Sequence, residues 1–190
     1  MKNNSKDFKE SDMSKPTNES ISSGNVQQFL TFVLNDETYG VGILHIREII
    51  EYDNLTRVPL MPDFISGVIN LRGNVVPVIN LARRFEHQAK EIGKRTSIII
   101  IDIKDQDGES VEVGMVVDIV NEVIELADSD IAAAPMFGAK IRTDFIQGMG
   151  KIDDKLMILL DVNHVLSINE LSAVTNIAEE LTTPTKSDTL

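Results

Sequence analysis

Apolar residues gather in short runs at positions 29–34, 75–81, 98–103, 111–117 and 156–162, built mainly from Val, Ile, Leu and Phe. Runs of this length, rich in β-branched side chains, read as strands. Turn formers stand between them: Asn35-Asp36, Arg72-Gly73-Asn74, the stretch from Asp105 to Gly108, and Asp153-Asp154. The pattern predicts a mainly antiparallel β core joined by tight hairpins. Ile43, Ile46, Ile49 and Ile50 follow a spacing that fits a helix as well as a strand. Residues 171–181 carry Leu171, Val174, Ile177, Ala178 and Leu181 at helical spacing and predict one terminal helix. Residues 1–25 and 182–190 hold too few apolar side chains to offset the entropy of ordering them, and read as flexible tails.

The pattern repeats. Residues 64–81 align without a gap on 145–162, matching Phe64 with Phe145, Ile65 with Ile146 and Gly67 with Gly148. A second pair of blocks, 40–50 and 114–124, matches Gly40 with Gly114, Ile46 with Val120, Glu48 with Glu122 and Ile50 with Ile124. Two copies are too few for a solenoid, so the reading is two similar five-stranded halves packed about a pseudo-twofold axis. Such a pair has a seam, and Ile46 and Val120 are the candidates to lie near it.

Composition narrows the function. The chain has 190 residues, a net charge of -12 and a pI near 4.6, so a nucleic-acid backbone or an anionic membrane meets mostly like charge. It contains no cysteine, which excludes disulfides, thiolate metal sites and cysteine nucleophiles. The N-terminal stretch lacks the apolar segment of a signal peptide, and no run is long enough to span a membrane as a helix. His45, His87 and His164 are far apart with no partner at metal-ligand spacing. The glycines from Gly67 to Gly73 lack the pattern of a phosphate loop, and Ser66 and Ser97 have no base nearby in sequence. No catalytic residue, metal site or cofactor is assigned, and an enzyme is not expected.

The segment from Phe64 through Ser66-Gly67, Asn70-Leu71-Arg72-Gly73 and Pro77 to Leu81 closely resembles the signature of the CheW domain family. Tyr39-Gly40, the strand from Val113 to Asp118, Ala134-Pro135-Met136-Phe137 and Ile146-Gln147-Gly148-Met149-Gly150 follow in the family's order, across roughly residues 26–170. The resemblance implies two SH3-like five-stranded barrels, interleaved in one domain, with a terminal helix after them. It turns the ambiguous 43–50 stretch toward strand, short turn, strand. It also implies a non-enzymatic chemotaxis adaptor that couples the histidine kinase CheA, through its regulatory domain, to the cytoplasmic tip of chemoreceptors. The expected location is the cytoplasm, at receptor arrays on the inner face of the membrane. On the family pattern, the receptor helix is received by Leu30, Ile43, Ile46, Ile49 and Val120, with Glu48 and Arg72 paired at the rim. Gly67, Pro135 and Phe137 match kinase-contact positions. Ala132 departs from family members that carry a basic residue there. A CheW module working in the manner of CheV, or a ligand-binding barrel that only shares the fold, are the alternative readings.

Overall fold

The computed structural model describes residues 25–53, 55–104, 108–135, 141–152, 155–167, 169–173 and 176. The expectations for both tails therefore lie outside the described residues, apart from Asn25. The described residues form eleven strands in the order β1 (Val26–Leu34), β2 (Glu37–Gly42), β3 (Ile46–Glu51), β4 (Ile65–Leu71), β5 (Asn74–Asn80), β6 (Ser97–Lys104), β7 (Ser110–Val117), β8 (Ile119–Ala127), β9 (Ile131–Ala132), β10 (Ile146–Ile152) and β11 (Lys155–Leu160). Two short helices, α1 (Leu81–Arg84) and α2 (Val162–Val165), follow β5 and β11. A 3-10 turn at Ile43–His45 separates β2 from β3, so the ambiguous stretch is strand, short turn, strand.

Two hairpins show how residue choice sets the connection. Asn35 (φ 49°) and Asp36 (φ 67°) occupy the left-handed region between Leu34 and Glu37, and Arg72 (φ 53°) and Gly73 (φ 94°) do the same between Leu71 and Asn74. Two consecutive positive φ angles match the right-handed twist of the flanking strands, and Asn, Asp and Gly reach them at least cost. The Asn70 side-chain oxygen accepts from the Gly73 N–H at 2.9 Å, which holds the second turn shut.

The strands form two sheets, ordered β8-β1-β2-β11-β10-β9 and β3-β6-β7-β5-β4. Their pairing is congruent residue by residue. Val78 pairs with Gly114 across β5 and β7, and at the same place in the other sheet Leu159 pairs with Gly40 across β11 and β2. Ile49 opposite Ile99 corresponds to Val123 opposite Leu30. Even the irregularities coincide: β4 and β10 both slip register, at Ile65/Gly67 and at Ile146/Gly148. The halves read from the repeat are therefore the same barrel twice, but each exchanges strands with the other, since β1 and β2 sit in the sheet completed by β8 to β11.

Two features differ from the sequence reading. The pairings β2·β11 and β5·β7 are parallel, because the strands they join are not neighbours in the chain and each sheet closes by a crossover. Leu81 and Val162, read as strand ends, instead start helices. Asn80 and Asp161 cap them, accepting through their side chains from the N–H of Arg83 and of Asn163. Of the terminal helix predicted over 171–181, residues 171–173 and 176 are helical and the rest lies outside the described residues; residues 169 and 170, ahead of it, are helical as well.

Apolar burial falls into three layers. Val76, Val78, Ile98, Ile100 and Val116 fill one barrel, joined by Ile50, Ile69 and Leu71. Phe29, Leu126, Met157 and Leu159 fill the other, joined by Ile124, Ile131 and Ile152. The largest cluster lies between the sheets and unites Leu30, Phe32, Leu34, Tyr39 and Val41 with Ile79, Ile99, Ile101, Ile103, Val113, Met115 and Val117. A chain of rings runs through it, Phe32 to Tyr39 (5.7 Å), Tyr39 to Phe85 (5.8 Å) and Phe85 to Phe145 (5.7 Å). The uninterrupted Ile98-Ile99-Ile100-Ile101 follows directly, since alternate side chains enter the barrel and the interlayer and both are dry.

Gly40 and Gly114 let the parallel strands close. A Cβ on Gly114 would stand 2.8 Å from Ile98 Cγ2 and 3.1 Å from Val78 Cγ2, both on stiff β-branched side chains, whereas on Gly40 it would meet the flexible Leu159 Cδ2 at 2.9 Å. Gly114→Ala is expected to cost about 1–3 kcal/mol in urea unfolding, the usual size of overpacking, with Gly40→Ala costing less. Burial, aided by Glu37, pushes the Tyr39 phenol from 10.0 up to about 12. The neutral phenol is thus favoured in the folded state, so that stability is fully present below pH 10.0 and is lost as pH rises toward about 12. The urea midpoint should fall across that interval, and fall less in Tyr39→Phe.

Candidate functional site

Strand β3 forms one edge of its sheet, and β8 forms the corresponding edge of the other. A bulge in the β3·β6 pairing, between Ile46 and Glu48, inserts one extra residue, so Ile46 pairs with Ile101 while Ile49 pairs with Ile99. Ile99 and Ile101 both point into the layer between the barrels. Ile46 and Ile49, three apart in sequence, consequently face the same way. On the other edge, a bulge in β1·β8 sets Val120 opposite Phe32 and Val123 opposite Leu30, again both toward that layer. The 3-10 turn holding Ile43 packs against β1 and β6, which brings it to the same region.

The layer thus ends in an apolar strip. Ile43, Ile46 and Val120 are partly buried against the shared core, while Ile49 is 43 % exposed. Leu30, at 4 % exposure, belongs to the core and supports the strip from beneath without presenting a surface of its own. Two exposed apolar residues that sequence reading passed over lie nearby in the chain: Val123, 47 % exposed, completes the strip on β8, and Leu44, next to Ile43 in the 3-10 turn, is 95 % exposed. Val123 was reachable by the repeat offset that joins Ile46 to Val120, since the same step carries Ile49 to Val123. Leu44 has no such signal, its repeat mate being Asp118.

Polar groups border the strip. Arg72 Nη2 donates to Glu48 Oε2 at 2.8 Å, bringing together the pair that sequence placed at the rim. The bulged Arg47 pairs with Asp102, whose carboxylate hydrogen bond raises the guanidinium pKa, with Glu112 adding to the effect. Glu112 lies opposite Asp102 across β6 and β7. An amphipathic helix fits a strip of this kind, with its apolar face inward and charged flanks meeting the rim.

The other predicted positions are elsewhere. Gly67 is buried at the β4 bulge with φ 147°, and a Cβ there would overlap the Thr56 carbonyl. Thr56 and Val68 exchange two backbone hydrogen bonds, at 2.9 and 2.8 Å, across that approach. In the second barrel β9 takes the same place beside β10, with Ala132 opposite Met149. Pro135 follows β9, half-buried, and lines a groove of about 700 Å³ with Met149 and Leu156. Phe137 lies outside the described residues. Among the described residues no three His, Asp or Glu side chains are grouped to hold a metal ion, and no helix is long and apolar enough to cross a membrane.

These two kinds of site separate in stability. Gly67→Ala is expected to cost about 1–3 kcal/mol through backbone strain, whereas Arg72→Ala, removing an exposed ion pair, should change stability by about 1 kcal/mol or less. Urea titration of both variants checks the ordering.

Known proteins agree with this architecture. The family model for the CheW-like domain matches residues 28–170. The chemotaxis protein CheW of Klebsiella aerogenes is 39 % identical over 153 residues, covering 80 % of this chain and 89 % of that protein. That of Bacillus subtilis is 37 % identical over 141 residues, covering 74 % and 86 %. Among solved structures, the scaffolding protein TtCheW of Thermoanaerobacter tengcongensis matches with a TM-score of 0.68 and 34 % identity, over 76 % of this chain and 94 % of its own.

Proposed function

The chain belongs to the CheW-like domain family, and from that premise we propose that it is a non-enzymatic adaptor coupling the histidine kinase CheA to the cytoplasmic tips of chemoreceptors. The carrying observation is the apolar strip formed by congruent residues of two edge strands, Ile46 and Ile49 on β3 and Val120 and Val123 on β8. A receptor hairpin is helical, and its tip offers the amphipathic face that such a strip receives. Glu48 and Arg72, joined at the rim, orient the helix more than they hold it, because an exposed pair contributes little energy.

The kinase contacts belong to other surfaces. Gly67, being buried, acts by holding the β4 edge against the Thr56 segment, so that the 55–66 loop is correctly placed for the regulatory domain. Pro135, with Phe137 beyond it in sequence, offers the second contact on the other barrel. An adaptor of this kind works by bringing partners together, and its place is at receptor arrays on the inner face of the membrane.

Ile49→Asp is the discriminating variant, because Ile49 is exposed whereas Ile46 packs on the shared core and a charge there also threatens the fold. Titration against a receptor hairpin-tip fragment is expected to show affinity lowered about tenfold or more, on the order of 1.4 kcal/mol. The circular dichroism spectrum and binding to the kinase regulatory domain should stay at the parent level. Unchanged receptor affinity in a folded variant removes the strip from the receptor contact.

A further inference from the structure

Among the described residues, positive φ angles outside glycine occur at Asn35, Asp36, Leu60, Arg72 and Glu86. Four of these positions serve the fold. Asn35 and Asp36 reach the left-handed region at low cost and make the tight turn after β1. Arg72 makes the turn after β4 and pairs with Glu48. Glu86 ends α1: the His87 N–H donates to the Ala82 carbonyl at 2.8 Å and the Glu86 N–H to the Arg83 carbonyl at 3.0 Å, the two bonds of a Schellman cap.

Leu60, at φ 63°, has no such return. It follows Pro59 in a turn. Proline at the second position with a positive φ at the third is the type II pattern, which favours Gly or Asn where this chain has a bulky apolar residue. Its side chain is 104 % exposed, so the strain is not offset by burial. A recess of about 640 Å³ lies close by, lined by Val58 and Met61 on either side of the turn and by Tyr52, Ile65 and Ile92, but Leu60 does not line it.

The flanks of the turn are fastened. Thr56 and Val68 exchange two backbone hydrogen bonds before it, and after it the Ile65 N–H donates to the Pro62 carbonyl at 2.9 Å and Arg83 Nη1 to the Asp63 carbonyl at 3.1 Å. Leu60 is thus held out by an anchored backbone. Strain that the surrounding structure maintains, with no packing gained, marks a functional position, and a side chain presented in this way loses little freedom on binding. The loop runs beside β4, at the opposite edge of its sheet from β3 and the apolar strip, so it is left free when the strip is occupied.

We infer that Leu60 is the apolar anchor of the 55–66 loop, seated in an apolar socket of the kinase regulatory domain; this rests on the reading of that loop as the regulatory domain's contact.

Leu60→Asn keeps the turn and removes the anchor, since Asn tolerates the left-handed region. Its urea midpoint is expected to equal or exceed the parent's, because strain is relieved and no buried contact is lost. Titration of the full chain against the kinase regulatory domain is expected to show Kd raised about tenfold or more, as for an anchor residue, with affinity for a receptor hairpin-tip fragment within about twofold of the parent. Leu60→Met, still apolar, should keep the kinase affinity within about threefold. Arg57→Glu, reversing an exposed charge on the same loop, reports on the loop as a whole. Kinase affinity lowered by Arg57→Glu but not by Leu60→Asn overturns the anchor and leaves the loop as the contact. Kinase affinity unchanged in both overturns the anchor together with that reading of the loop. A lowered urea midpoint in Leu60→Asn, or Leu60→Met binding as weakly as Leu60→Asn, also overturns the inference.

Discussion

The structure depends on strands β1, β6 and β7 being dry on both faces. Ile98 and Ile100 fill a barrel while Ile99, Ile101 and Ile103 meet Phe32, Tyr39 and Val41 from the other sheet. Neither barrel is large enough to supply a core of its own, because among the described residues each encloses four or five buried side chains. The interlayer supplies most of the buried apolar area, and it exists only when both barrels are formed. At about 25 cal/mol per Å² of apolar surface removed from water, the interlayer dominates the stabilising side. The exchange of β1 and β2 into the far sheet makes the barrels inseparable, and unfolding should be a single cooperative event across both.

The apolar strip is a by-product of this layer. A layer between two sheets must end somewhere, and at edge strands there is no further strand to cover it. In β3 and β8 the ends carry bulges, and each bulge turns a second apolar side chain toward the layer, Ile49 beside Ile46 and Val123 beside Val120. The resulting strip is rigid because its floor, Leu30 with Ile99 and Ile101, is core. A preformed apolar surface on a stiff support spares a binding helix the cost of ordering its receptor.

Much of this was legible in the residues, and what was hidden has physical causes. Strand positions followed from β-branched runs, and the hairpins from Asn35-Asp36 and Arg72-Gly73, because those signals are local. The spacing of Ile43, Ile46 and Ile49 was ambiguous because a bulge adds one residue to a two-residue period and so imitates the three-residue step of a helix. The parallel pairings and the strand exchange were not readable, since no local pattern says which distant strand completes a sheet. The family resemblance implies Leu30 as a groove residue, yet Leu30 lies on the interior strand β1 and is covered, while its neighbour Val123, on the edge strand β8, is exposed. Arg84 had no signal at all: in sequence it is one of two adjacent arginines on a short helix, and only the meeting of Phe64 and Phe145 sets two rings against its guanidinium.

Comparison of the two barrels shows which residues serve the backbone and which the surface. The glycines at the parallel crossings, Gly40 and Gly114, recur, as do the bulge glycines Gly67 and Gly148 and the helix caps Asn80 and Asp161. The backbone amides of Asn80 and Asp161 even donate to the matching carbonyls of Phe64 and Phe145, at 2.7 and 2.9 Å. These positions answer to geometry that both barrels share, so they are the same. The rim does not repeat. Glu48 has Arg72 as partner, but the matching positions in the other barrel are Glu122 and Asp153, two acids that cannot form an ion pair. Arg84 likewise has Val165 as its repeat mate. Charge has therefore diverged where the scaffold places no demand on it, and the asymmetry gives one edge of the strip a neutralised Glu48–Arg72 pair where the matching position of the other carries the acid Glu122. A symmetric strip would accept a helix in either direction. Under the proposed function, Glu48 and Arg72 at one rim only give a helix of complementary charge one preferred orientation of the two, which is the property that an adaptor joining distinct partners in a fixed arrangement needs.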